Sequence, residues 1–323
     1  MDLSKIFLKD ACPTPVGGQA VMEGIMMRGL ERTAVAVRLP DGKIHMKTQP
    51  NKKMGKWTRI PIVRGVVSFV TSLVQGTGIL MYSADVLEAN WPEEEQEEAG
   101  KLETWMNKKF GEKGTWNIMI YLSVILALAM TIGMFILLPT VVANFLKPLI
   151  DSDFVFNLVE GIMRIVIFVV YIALISQMKD IKTVFQYHGA EHKTIHCFEN
   201  NLELTPQNAQ QFYTLHPRCG TSFLLFVMVI SFVLHLFLGW PNLALRIISR
   251  LLLVPLVAGL SYELLKWAGR SDNWLVKILS MPGLYLQKLT TKEPSDDQLE
   301  VAIAATKAVM VPDGTPRSEE RRV

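Results

Sequence analysis

A chain of 323 residues that is 50% hydrophobic, with a mean hydropathy of +0.26 yet 20% charged residues, excludes an ordinary soluble protein of evenly mixed composition; its apolar residues must be gathered into segments. Its three cysteines, Cys12, Cys197 and Cys219, exclude the disulfide framework of a small secreted fold, and beside a histidine cluster they suit reduced thiols in a cytoplasmic setting. The formal net charge of +3 is small, so any charge bias is regional.

Residues 1–64 form a basic region, with twelve Lys and Arg against five Asp and Glu. Met1–Pro15 has no basic start, apolar block or small-residue cleavage site, so no secretory signal is expected. Gly17–Gly29, GGQAVMEGIMMRG, reads as a strand entering a tight turn, with Glu23 and Arg28 among its apolar residues. Thr33–Leu39 alternates, Pro40–Lys43 supplies turn chemistry and Ile44–Thr48 resumes the alternation, which predicts a small β element with one hairpin.

Residues 65–116 hold an uncharged stretch, Val66–Ala84, and then the acidic run Glu93–Glu98, read as a solvated linker. Gln75, Gly76, Thr77 and Gly78 dilute the middle of the apolar stretch, so an interfacial or re-entrant helix is expected there rather than a crossing. Residues 117–178 and 222–267 each hold two apolar runs: Asn117–Leu138, Ile165–Met178 (extended back to Gly161 across Arg164), Ser222–Trp240 and Ile247–Trp267. The fold class expected is a mainly α membrane protein with about four transmembrane helices, an interfacial or re-entrant helix, and a small α+β cytoplasmic region. Lys and Arg near spans stay on the cytoplasmic side. The basic N-terminal region and C-terminal tail (residues 268–323), against an acidic Pro139–Glu160 connection, then put both termini and the loop 179–221 in the cytoplasm of a multi-pass protein.

Arg164, Arg250 and Glu263 fall in or at the edges of these helices, where charge is costly and usually paired; Arg250 and Glu263 lie too far apart on one helix to touch, so each needs a partner elsewhere. His45 and His235 read as hydrogen-bonded structure. Thr205 before Pro206 marks a helix start, Ser222 is expected to cap the third span, and Ser295–Gln298 is a capping-box pattern opening a short amphipathic helix. Pro312–Val323 reads as disordered.

The chemistry concentrates in residues 179–221, which contain four of the six histidines. His188, His192 and His196 share a four-residue spacing that stacks them on one helix face. His188, Glu191 and His192 spell H-x-x-E-H, in which two imidazoles bind an ion and the glutamate takes a proton from bound water. A divalent ion, zinc before others, needs a third protein ligand, and His196, His216, Cys219 and Glu199 are the candidates. Ligation by all four of His188, His192, His196 and His216 would close the site and favour a structural role. Without an ion, the stacked histidines serve hydrogen bonding or a pH-sensitive patch.

The stretches GGQAVMEGIMMRG, YHGAEHKTIH (Tyr187–His196), LHPRCGTSFLL (Leu215–Leu225), AGLSYELLKWAGR (Ala258–Arg270) and PGLYLQKLTTKEP (Pro282–Pro294) resemble the YqhQ family of bacterial membrane proteins, catalogued as domain of unknown function 1385. The resemblance implies a bacterial inner-membrane protein and carries the label of a predicted metal-dependent enzyme, which rests on the same histidine pattern. By position it covers Glu23, Arg28, His188, Glu191, His192, His196, His216, Arg218, Cys219 and Glu263; Cys197 stands where similar proteins read alanine or serine and is not expected to ligate.

Two functions from different classes follow. One is a membrane-anchored metal hydrolase acting on a membrane-proximal substrate, with Glu191 as general base and Arg28 or Arg218 holding an oxyanion or phosphate. The alternative is a non-enzymatic adaptor or assembly factor, in which a structural metal or histidine knot staples the loop and the basic region meets the ribosome, RNA or acidic lipid. A homo-oligomer around a pore is a weaker third reading, because the spans offer few polar residues.

Overall fold

The computed structural model describes residues 6, 14–51, 60–91, 100–237, 243–268 and 274–310. Cys12, the acidic run at 93–98 and the tail from residue 312 lie outside these residues. The chain divides into two compact units: Met1–Asn90, Ile172–Ser231 and Trp240–Val323 form one, and Trp91–Tyr171 with Phe232–Gly239 form the other.

The first unit is built on an antiparallel meander, β1 (Gly17–Val21), β2 (Gly24–Arg28), β3 (Arg32–Arg38) and β4 (Ile44–Pro50), paired in chain order. The expected hairpin over 33–48 is its last turn, with Gly42 at φ 84° and Leu39 N–H donating to Lys43 O. The sheet is larger than expected, because Gly17–Gly29 is two strands joined by a Met22–Glu23 turn in which Glu23 has φ 45°.

β3 explains why this sheet needs helices on both faces. Ala34 and Ala36 point one way, into a core with Ile25, Met27, Ala190, Leu299 and Ala302. Val35 and Val37 point the other way and pack with Val21, Ile79 and Leu87. The first face is covered by α5 (Lys179–Glu199) and α10 (Asp296–Val309), the second by α1 (Val63–Ala89). The Ser295 capping box opens α10 as expected, and Leu299, Val301, Ile303 and Val309 are buried. At about 1.5–3 kcal/mol per buried aliphatic side chain, these four make α10 a principal source of the unit's stability.

α1 touches two partners along its length. Gly76, Ile79, Ser83 and Leu87 form its buried stripe beside the sheet, where Ser83 Oγ accepts from Met22 N–H at 3.3 Å. Its first turn crosses α8 (Leu243–Ala268) so closely that a methyl group on Gly65 would stand 2.8 Å from Gly259 Cα. At this crossing Arg64 Nε donates to Glu263 Oε1 at 2.6 Å and Arg64 Nη2 also pairs with Glu263 Oε2. Glu263 thus has the partner on another helix that its position required; the Arg250 side chain lies outside the described set. Both members are about a quarter exposed, so a double-mutant cycle of Arg64→Met and Glu263→Gln is expected to give a small but measurable favourable coupling. Strict additivity would show that the pair is incidental.

The second unit holds α2 (Lys101–Ile132), a π-helical turn (Gly133–Leu137), α3 (Leu138–Leu146), a 3₁₀ turn (Lys147–Leu149) and all but the last turn of α4 (Asp153–Ile175). The π turn has a physical cause in Pro139, whose missing N–H leaves the carbonyl four residues back, Phe135 O, without its helical donor. Arg164 Nε supplies that donor at 3.0 Å, while Arg164 Nη2 reaches Glu160 Oε1 at 3.1 Å and Thr140 Oγ1 donates to the same carboxylate oxygen at 2.8 Å. The charge inside this apolar unit is therefore paired on every side the structure describes.

Three helices among the described residues are long and apolar enough to cross a membrane: Val63–Ala89, Gly114–Leu149 and Phe154–Ile175. Gly114–Leu149 contains the first expected span, and Phe154–Ile175 covers the second except for its last three residues, 176–178. α7 (Thr221–Leu236), the third expected span, is apolar but has 16 residues, short of the roughly 20 a crossing needs. Ser222 lies inside α7 and is not its cap. α8 covers the fourth expected span with Pro255 inside it. α9 (Trp274–Thr290), with Pro282 inside it, was not expected; its proline and mixed composition hide it from a periodicity reading.

Candidate metal centre

The C-terminal half of α5 is buried on all sides, Gly189–Glu199 without exception, although it carries two glutamates, two histidines and a lysine. A polar helix survives such burial only if most of its groups are partnered. Lys193 Nζ is satisfied by Gln210 O at 3.1 Å, Gln210 Oε1 at 2.9 Å and Glu293 Oε2 at 2.7 Å. Gln210 belongs to α6 (Pro206–Gln210), whose start is capped by Thr205 as expected.

Three groups converge at the beginning of the buried half. His188 Nδ1 faces Thr290 O at 2.8 Å and His192 Nδ1 faces Thr214 O at 2.5 Å. A carbonyl can only accept, so both Nδ1 atoms carry hydrogen and both Nε2 atoms present lone pairs. His188 Nε2 stands 3.1 Å from Cys219 Sγ, and one donor atom from each of His188, His192 and Cys219 lies within 4.8 Å of the others. His192 Nε2 is buried and makes no hydrogen bond. Zinc bonds of about 2.0–2.3 Å in a tetrahedron space their ligands about 3.3–3.7 Å apart, so the observed spread needs only a small closure. The donor set of two imidazoles and a thiol, with each imidazole oriented by a backbone carbonyl, is one that can hold a metal ion.

The other expected ligands are turned elsewhere. His196 Nε2 donates to Leu215 O at 3.0 Å, and the ring stacks on Phe212 with centroids 5.9 Å apart. His216 Nδ1 accepts from Arg218 N–H at 3.3 Å, which places its hydrogen on Nε2, 3.6 Å from Glu199 Oε2. At that distance it is a weak polar contact at most. Glu199 accepts from Thr14 N–H at 2.9 Å, from Thr14 Oγ1 at 3.2 Å and from Arg218 Nη2. Glu199 and Arg218 thus tie the N-terminal segment to the 214–221 loop, and His196 and His216 line that tie; the structure does not gather these four with His188 and His192 around one point.

Glu191 is buried and accepts the Gly18 N–H of β1 at 2.8 Å. A methyl group on Gly18 would fall 2.9 Å from the Glu191 carboxyl carbon, so glycine is what lets the strand reach it. Burial raises the Glu191 pKa, opposed by the nearby His188 and the Gly18 bond. Glu23 pairs with the Tyr187 hydroxyl, and burial raises its pKa as well. Arg28 lines a cavity with Thr33, Gln49, Asn51 and Gln75 on the α1 side of the sheet, whereas the histidines lie on the α5 side. The expected oxyanion role for Arg28 is corrected accordingly: strand register sends residues 26 and 28 to the face opposite Ile25 and Met27. Cys197 bonds Glu203 O at 3.4 Å, and burial pushes its thiol up to about 11.

Sequence reading did not find Gln287, Thr214 or Thr290. Gln287 exchanges two 2.9 Å hydrogen bonds with the backbone N–H and C=O of His216, anchoring the loop that carries Cys219 to α9. Its block, PGLYLQKLTTKEP, was visible in the chain, but backbone carbonyls leave no residue signature.

The comparisons meet this geometry directly. The family described as protein of unknown function (DUF1385) matches residues 60–311, which include every residue of the centre. The chain belongs to the DUF1385 family. A relative, the uncharacterized protein YqhQ of Bacillus subtilis (strain 168), is 35% identical over 303 residues, covering 91% of this chain and 92% of its own. No solved structure matches the chain. The family assignment agrees with the resemblance carried by the five motifs and names no activity.

Burial of the two outlying histidines sets an acid sensitivity. It holds both His196 and His216 down to about 4, so each is neutral in the folded protein at pH 7. As pH falls from the ordinary histidine value toward 4, the unfolded chain takes up protons that the folded chain refuses, and stability drops by about 2 kcal/mol per histidine by pH 5. Glu199 has the opposite sign: burial opposes its ionisation, but His216, Arg218 and Thr14 win and lower it to about 2. Its contribution is therefore complete above the ordinary carboxylate range and is lost only as pH falls toward 2. Thermal melting of the detergent-solubilised protein is expected to shift markedly downward between pH 7 and pH 5; an unchanged melting temperature contradicts the burial of these rings.

Proposed function

We propose that this protein is a membrane-anchored metal-dependent hydrolase with a zinc site of His188, His192 and Cys219. The observation that carries the reading is the pair of Nδ1–carbonyl bonds, which aims two Nε2 lone pairs at one thiol. Three protein ligands are the usual number where a fourth position is left for water, and zinc lowers the pKa of such a water to about 7. Glu191, one residue before His192 and held by Gly18, is the candidate base for its proton. The substrate would be a molecule presented at the membrane surface.

Helix packing supports the accompanying topology. Residues from Gly76 onward in α1 lie on the sheet, which leaves Val63–Gln75 as about 20 Å of helix against a hydrocarbon layer of about 30 Å. Despite its adequate length and composition, α1 is read as an interfacial bracket, with the sheet and the centre on the cytoplasmic side of a bacterial inner membrane.

The burial of the centre, His192 at 1% and Cys219 at 7% exposure, favours the second reading, a closed structural staple in a non-enzymatic adaptor. Cobalt-substituted protein separates the two. An open position admits azide and changes the visible spectrum of the bound cobalt, and Glu191→Gln retains the metal while losing water activation. A spectrum indifferent to azide sinks the hydrolase and leaves the staple.

A further inference from the structure

Behind the peptide that orients the histidines lies a separate cavity of about 370 Å³, walled by Tyr213, Thr214, Lys288, Thr291, Lys292 and Glu293. Glu293 is already engaged by the buried Lys193 ammonium at 2.7 Å, so the charge left on the wall is that of Lys288 and Lys292. Lys288 lies in the last turn of α9 and Lys292 two residues beyond its end. Lysines at a helix C-terminus also offset its dipole, but that role does not require a cavity with the Thr214 and Thr291 hydroxyls 3.5 Å apart in its wall.

A second feature says what the cavity would hold. Trp274, Ile278, Pro282, Tyr285 and Lys288 are all exposed and fall on one face of α9, while Gly283, Leu284, Gln287 and Thr290 are buried on the other. An apolar and aromatic stripe ending in basic residues is the pattern of a helix lying in a lipid headgroup region. Lys288 belongs both to the stripe and to the cavity.

We infer that this cavity binds the phosphate of a membrane phospholipid, with Lys288 and Lys292 matching the anion and the α9 stripe lying along the acyl boundary. The occupant sits against Thr214 and Leu215, whose carbonyls receive His192 Nδ1 and His196 Nε2 on the other side. A lipid in place thereby holds the peptide that holds His192. The binding itself does not rest on the hydrolase reading, since none of its contacts is a metal donor.

The test is native mass spectrometry of the full-length protein in a neutral detergent, titrated with phosphatidylglycerol. Lys288→Ala/Lys292→Ala is expected to bind the lipid about tenfold more weakly, and Lys288→Arg/Lys292→Arg to bind it as the parent does. sn-Glycerol 3-phosphate, which has the phosphate without acyl chains, is expected to bind far more weakly than the lipid. Equal lipid affinity in the parent and the alanine variant overturns the proposal. Glycerol phosphate binding as tightly as the lipid overturns the lipid assignment in favour of a soluble phosphate. Unchanged metal content in both variants distinguishes loss of this cavity from loss of the neighbouring centre.

Discussion

His192→Ala and Cys219→Ser are each expected to strip the purified protein of the divalent ion that the parent is expected to carry at about one per chain, as elemental analysis of metal-loaded, desalted protein will read. The expectation follows from donor count. Structural zinc binds with an apparent free energy of about 10–16 kcal/mol, so losing one of three or four donors removes about 3 kcal/mol or more and weakens binding over about 100-fold. His188→Ala belongs with them, because His188 Nε2 is the nitrogen nearest the thiol at 3.1 Å. His196→Ala is the discriminating control, since His196 donates to Leu215 O and is not one of the three converging donors. It should cost stability without emptying the site. Metal lost equally in His196→Ala, or no metal in the parent, removes the assignment. Chelation should lower the melting temperature of the parent, because an ion at 100 times its dissociation constant adds about 2.7 kcal/mol to the folded state.

Gly189→Ala is expected to destabilise the protein by about 2 kcal/mol, against the usual gain from replacing a glycine within a helix. A methyl group there would stand 2.0 Å from Lys292 O and 3.2 Å from the Thr214 side chain. Overpacking of this kind costs about 1–3 kcal/mol or more, and alanine's better helix propensity returns at most about 1. The displaced segment is the one that orients the site. Lys292 N–H bonds Phe185 O at 2.9 Å, and Thr290 O, two residues earlier, receives His188 Nδ1. Disturbing an orienting bond of a ligand imidazole typically costs about 10–100-fold in metal affinity, so the same variant should show both a lower melting temperature and weaker metal binding. A variant that melts with the parent and binds metal equally well would mean that α5 and the 290–293 segment are not in contact.

Both results depend on segments far apart in the chain, and that separates what was legible from what was not. The helix over His188–His196, the hairpin at Pro40–Lys43, the caps at Thr205 and Ser295 and the first two apolar segments are local patterns: periodicity, turn residues and hydroxyl caps act within a few residues and leave their signature in order. The resemblance to the family was equally readable, because five motifs occur in sequence. Cys219 was only one candidate among several for a third ligand, since its approach to His188 depends on Gln287 anchoring the loop to a helix that had not been foreseen.

The tertiary structure alone decided three further matters. It set which histidines face the thiol, because that depends on which backbone carbonyl each ring meets, and carbonyls are the same at every residue. It split Gly17–Gly29 into two strands and sent Arg28 to the face away from the histidines, because strand register is a property of the pairing. It gave α1 two partners, a sheet and α8, where its composition alone allowed a crossing. Local sequence determined the elements and the chemical groups at hand; the direction in which each group points came from close contact between segments a hundred or more residues apart, as with His188 and Thr290 or Gly18 and Glu191, and side-chain identity alone does not encode that direction.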